Sequence, residues 1–79
     1  MLDTVTQYTV HGKTYEQKHG NAFDRGSADS YYGRPRRPHY YPNGTYKGDA
    51  VTELTDAELE AYHAGYDYNE QFGDKKNWD

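Results

Sequence analysis

The sequence contains no cysteine and no isoleucine, and its 79 residues include only three leucines, three valines, two phenylalanines, one tryptophan and one methionine. Without cysteine there is neither a disulfide framework nor thiolate chemistry, which fits a reducing compartment. No apolar run approaches the ~18 residues that a membrane span needs, and no signal-peptide core follows Met1. A soluble, cytoplasmic protein with no membrane partner is therefore expected. The sequon Asn43-Gly44-Thr45 lacks a secretion signal to go with it and reads as a turn. A chain this short buries only about 60–65% of its unfolded surface, and so few aliphatic residues pull it toward disorder.

Ten tyrosines stand against that tendency. Each ring can bury about 150–250 Å² while its hydroxyl reaches water or a partner, so phenol rings must build much of the core. The expectation is one small domain over 1–79 with a folded centre and looser ends. Charge is divided unevenly. Residues 1–48 carry seven Lys/Arg and four Asp/Glu, whereas residues 49–79 carry two Lys and nine Asp/Glu, for a net −4. A general nucleic-acid binder would be basic throughout. This chain is a dipole, with basic charge gathered at Arg34, Arg36 and Arg37.

The fold class expected is a small α+β domain. Residues 4–18 read as a β-hairpin rich in Thr, Val and Tyr. Placing Gly12-Lys13 as a type II′ turn sets Val10 opposite Tyr15. Such a hairpin is marginal alone and must lie on something. Residues 22–32 read as a first helix, with Asn21 as N-cap, Asp24 at the third position and Gly33 as a left-handed terminator before Pro35. The prolines of 34–53 forbid helix and favour extended backbone, with a turn at Asn43-Gly44 and an extended piece over 45–51. Residues 56–72 form the second helix. Thr55 and Glu58 make a capping box, Leu54 and Leu59 a staple, and Gly73 ends it. Leu59, Tyr62, Tyr66 and Phe72 mark its apolar stripe. Residues 74–79 are a polar tail expected to fold back through Trp78. Both helices carry Ala-x-x-x-Gly, at 22/26 and 61/65, a notch that lets two backbones cross closely.

Catalytic constellations are missing from the pattern. Ser27 and Ser30 have no nucleophile turn around them, and the acids of the second helix follow solvent-facing positions. The four histidines lack metal-ligand spacing, although His39 and His63 meet if the connector folds back. No enzyme, cofactor, metal or small-molecule substrate is expected. The segment Arg34 to Tyr41 is the candidate recognition strip. Its guanidinium forks suit phosphate or carboxylate, Tyr40 and Tyr41 suit stacking, and its prolines lower the entropy lost on binding. The competing reading pairs Arg36 and Arg37 internally with acids of the second helix.

Arg25-Gly26, then Gly33-Arg34, then Pro38 and a tyrosine, followed by Tyr62-His63-Ala64-Gly65-Tyr66, resemble the motif of the ribosome modulation factor family. The likeness covers roughly 22–72, within a two-helix core at 21–73 that follows the hairpin of 1–20. It implies a two-helix protein that binds rRNA and ribosomal proteins and drives ribosomes into an inactive, dimerised store. Arg25, Arg34, Tyr40, Tyr62 and Tyr66 are the positions to which such contacts would pass. That family is short and strongly basic, whereas this chain is acidic, adds a hairpin and lengthens the connector. Asn21-Ala22-Phe23-Asp24-Arg25-Gly26-Ser27-Ala28-Asp29 and Gly73-Asp74-Lys75-Lys76-Asn77-Trp78 also resemble short uncharacterised bacteriophage proteins, a nearer likeness that implies no activity.

Two functions compete. One is a ribosome- or RNA-associated modulator using Arg34, Arg36, Arg37, His39, Tyr40 and Tyr41. The other is a phage-type accessory inhibitor, acting in the host cytoplasm, that captures a host protein through its acidic, tyrosine-rich surface.

Overall fold

A computed structural model describes residues 6–44 and 48–76. The order is β1 (Thr6–Val10), β2 (Lys13–Gln17), α1 (Ala22–Tyr31) and α2 (Asp56–Phe72), the α+β architecture expected from the sequence. Residues 4 and 5 of the expected hairpin, 45–47 of the expected extended piece, and Trp78 of the tail lie outside the described residues.

The hairpin forms, but its turn is one residue earlier than expected. Val10 pairs with Lys13 and Tyr8 with Tyr15. The turn residues are His11 (φ 53°) and Gly12 (φ 78°). Positive φ at both centres is the type I′ geometry, whose twist matches that of the strands. The shift sets Tyr8 and Tyr15 side by side on one face. There Phe23 stacks on both rings, at 5.4 Å from Tyr8 and 5.7 Å from Tyr15, and Tyr68 meets Tyr8 at 4.6 Å. The support that the hairpin needs is thus the pair of helices. Asp24 fastens the junction, accepting from Gln17 Nε2 and from the Gly20 amide, each at 2.9 Å.

Asn21 caps α1 by accepting the Asp24 amide at 2.9 Å. The helix ends in a Schellman turn. Arg34 N–H bonds Asp29 O at 2.8 Å, Gly33 N–H bonds Ser30 O at 3.0 Å, and Gly33 takes φ 70°. The capping box of α2 is present, with Thr55 N–H on Glu58 Oε1 at 2.8 Å and Glu58 N–H on Thr55 Oγ1 at 3.2 Å. The backbone hydrogen bond from Thr55 holds the Glu58 carboxyl below its ordinary value.

The two notches meet reciprocally. A methyl group at Gly26 would intrude on the Tyr62 carbonyl, 2.9 Å from its carbon, and one at Gly65 would do the same to the Phe23 carbonyl. Main chain therefore packs on main chain where α1 crosses α2. Around that point the core is Val10, Phe23 and Ala64, with Tyr8, Tyr15, Ala61 and Tyr68 packed against it. The expected stripe on α2 needs correcting at its end. Tyr62 is fully buried, but Phe72 is 67% exposed, because the buried residues of α2 stop at Asn69, which bonds Ser30 close to the end of α1. Beyond Gly73 the chain does return, since the Lys76 amide bonds Tyr31 O at 2.7 Å.

Candidate functional site

Residues 34–41 leave the Schellman turn and lie across α2. Two phenol groups hold them there. Tyr66 donates to Arg34 O at 2.6 Å, and Tyr62 accepts from the Arg37 amide at 2.9 Å. The extended backbone that the prolines impose leaves these main-chain groups without a ladder, and the tyrosines supply the partners. Further on, Tyr40 and Val51 exchange backbone hydrogen bonds at 3.1 and 2.8 Å, and the Tyr41 amide bonds Gly20 O at 2.7 Å. The expected turn at Asn43-Gly44 follows, with Gly44 N–H on Tyr41 O at 3.2 Å. The connector is a strap tied at both ends.

Beneath the strap lies a cavity of about 520 Å³. Its polar floor is Asp29, 3% exposed, and Arg25, 5% exposed. Tyr62 donates its hydroxyl proton to Asp29 Oδ2. Burial, followed by that bond, pushes the Tyr62 phenol well above its ordinary range, so it stays a donor at any physiological pH. Arg34 Nη1 stands 3.6 Å from Asp29 Oδ1, and its guanidinium stacks 4.7 Å from the Tyr32 ring centre. His39 closes the group. Its Nδ1 lies 2.6 Å from Arg37 O, and its Nε2 takes the Arg25 Nε–H at 3.2 Å. That pair of bonds selects the tautomer with the proton on Nδ1. Tyr41 meets His39 edge-on at 5.7 Å and lies 5.6 Å from the Arg25 guanidinium carbon. Pro35, Pro38, Ala50 and Thr52 complete the rim.

Of the nine residues singled out in the sequence, five line this cavity: Arg25, Arg34, Arg37, His39 and Tyr41. Tyr62 and Tyr66 are struts beneath the strap. Tyr40 lies elsewhere, lining a second hollow of about 280 Å³ with Phe23, Ala57 and Glu58. Desolvation, then the neighbouring Glu58 charge, raises its phenol above the ordinary value.

The two readings of the arginines divide between neighbours. Arg36 is the internally paired one. It bonds Asp67, stands 3.1 Å from His63 Nδ1, and stacks 4.2 Å from the Tyr66 ring centre. Partial burial works against the Asp67 charge, but the bonds from Arg36 and His11 outweigh it and hold that carboxyl below its ordinary value. Arg37 differs, since no ion pair engages it among the described residues. His39 and His63 do not meet, because Tyr62 stands between them at 6.0 and 5.6 Å from their rings. Among the described residues no group of three or more His, Asp or Glu converges as for a metal ion, and no helix is long and apolar enough to cross a membrane.

Asp29 was not singled out from the sequence. The signal was available, because it lies three residues after Gly26 and so shares the face that the notch turns toward α2. The acids of α2 are less available than their number suggests. Glu60 bonds Lys13, Glu70 bonds both Lys75 and Ser30, and Asp67 bonds Arg36. These hydrogen bonds, first from Lys13 and from Lys75, hold Glu60 and Glu70 below the ordinary carboxylate value. Comparison with known proteins returns no matching family model, no similar curated protein and no similar solved structure.

Proposed function

We propose that this chain is a non-enzymatic binding protein that associates with the ribosome or RNA and modulates translation in the cytoplasm, or in the host cytoplasm if it is phage-encoded. One observation carries the reading: among the described residues, Arg25, Arg34 and Arg37 are gathered around a single cavity whose lining includes one carboxylate, Asp29. A concave site with a surplus of guanidinium groups attracts phosphate, and binding is driven by release of condensed counterions. The strap's two tyrosine struts and two backbone ties supply preorganisation, so little ordering entropy is lost on docking. The resemblance to ribosome modulation factor lends the same direction, through Arg25, Arg34 and the tyrosines beneath the strap.

The alternative, capture of a host protein through an acidic, tyrosine-rich surface, draws less from the geometry. Glu60, Asp67 and Glu70 already carry basic partners, and Tyr62 is fully buried.

Co-sedimentation with purified ribosomes across a salt series tests the proposal. Pelleting at low salt should fall steeply between about 50 and 200 mM, and an Arg34→Ala/Arg37→Ala variant should pellet much less at the lowest salt. A chain that stays in the supernatant at every ionic strength removes the ribosomal role.

A further inference from the structure

The geometry points to the cavity beneath the strap as a site for a nucleoside monophosphate group, held by its terminal phosphomonoester rather than by an internal phosphodiester. This rests on the RNA-binding reading above and names the part of the RNA that the cavity takes.

Charge is the first argument. Among the described lining residues, Arg25, Arg34 and Arg37 bring three positive groups to the wall, and Asp29 brings one negative group. The surplus is about two charges. A phosphomonoester carries about −1.5 to −2 near neutral pH, while a phosphodiester carries only one. The terminal group is therefore the better electrostatic match. Its three outer oxygens also offer acceptors to more than one guanidinium fork, and such charge-assisted bonds are the strong ones.

Shape is the second. About 520 Å³ falls within the range of small-ligand sites and exceeds what a phosphate alone requires. Beside His39, Ala50 and Thr52, the rest of the described wall is Tyr41, Pro35 and Pro38, flat or apolar surfaces suited to a planar ring. Tyr41 is fixed for this use, since its backbone amide bonds Gly20 and its ring abuts His39. Arg37 is the group best placed to respond to a ligand. Its main chain is anchored by Tyr62, and its exposed guanidinium has no ion pair among the described residues.

The test uses the full chain and fluorescence polarisation with a 3′-labelled RNA decamer, either 5′-phosphorylated or 5′-hydroxylated. The phosphorylated strand should bind at least tenfold tighter, and unlabelled AMP should displace it better than inorganic phosphate or adenosine. Arg37→Ala should cut the preference to about twofold or less. Lys18→Ala, which removes one positive charge from an exposed position outside the cavity, should leave the preference intact. Equal binding of the two strands, or a preference unchanged in Arg37→Ala, overturns the proposal. Displacement by phosphate as effective as by AMP overturns the nucleoside part. Ribosome pelleting of the same preparations separates the two claims. Chain that pellets yet shows no end preference refutes this site alone, and chain that does neither refutes the RNA-binding reading too.

Discussion

Where α1 crosses α2, main chain touches main chain at Gly26 and Gly65, with no side chain between. Where the strap crosses α2, contact is made through side chains only: Tyr62 and Tyr66 reach up by their hydroxyls, and Arg36 reaches down to Asp67. The first joint leaves no room for adjustment. The second is long, polar and partly exposed, so it tolerates change. Their difference teaches where this small protein keeps its stability and where it keeps its chemistry.

The sharpest way to break the comparison is to thicken the first joint. Gly65→Ala or Gly26→Ala drives a methyl group into a backbone carbonyl that cannot rotate away. The expected cost is about 3 kcal/mol, against a total stability of about 4–12 kcal/mol for a chain of this length. Urea denaturation followed by circular dichroism should show the midpoint moved to much lower urea. A variant that unfolds at the wild-type midpoint would mean that the helices do not cross there.

Tyr62→Phe should come next. It keeps the ring but removes the hydroxyl that serves buried Asp29 and the Arg37 amide together. Leaving those partners short should cost about 1–3 kcal/mol. The strap should also loosen, read as faster hydrogen exchange at the Arg37 amide than at amides within α1. Uniform acceleration across the whole chain would instead mark Tyr62 as ordinary core.

Acid should wear down the peripheral pairs. Glu58, Glu60, Asp67 and Glu70 all have folded values below those of free carboxyls. The unfolded chain therefore binds protons first as pH drops. The stabilisation is complete above the unfolded value of about 4, and it drains away as pH falls through the lower folded values. The melting temperature should decline between about pH 5 and 3, and a Glu60→Gln/Glu70→Gln variant should show a shallower decline. An unchanged slope would assign the acid sensitivity elsewhere.

The smallest effect lies in the turn. His11 holds φ 53°, a conformation that asparagine accepts more readily. His11→Asn before Gly12 restores the favoured type I′ pair and should gain about 0.5 kcal/mol, less the exposed 3.4 Å contact to Asp67. A higher thermal midpoint checks it.

Much of this fold was legible because its signals are local. Thr55 and Glu58 lie within one turn, so the start of α2 could be read directly, and Asn21 and Gly33 bracketed α1 in the same way. The Ala-x-x-x-Gly repeats gave the crossing. The hairpin turn was misplaced because Gly12 satisfies two alternative turns, and only the packing of Tyr8 and Tyr15 on Phe23 chooses between them. Phe72 was misread as core because a stripe continues by periodicity even after the partner helix has ended. The candidate site was half legible. Its arginines stood out as a cluster, but Asp29 did not, since its only mark is a spacing of three from Gly26, which places it on the notch face without showing the long-range contacts that bury it. Nor does local sequence tell Arg36 from Arg37. Adjacent residues in an extended segment point opposite ways, and the phase is set only when Tyr62 takes the Arg37 amide.

The bond from Arg37 N–H to Tyr62 ties the outermost feature of the molecule to its innermost. The same hydroxyl that accepts from the residue 37 amide also donates to buried Asp29, so lifting residue 37 would loosen the phenol that holds that acid. The rim of the cavity at Arg37 and its floor at Asp29 are thus set by one side chain, and a change at either end is carried to the other.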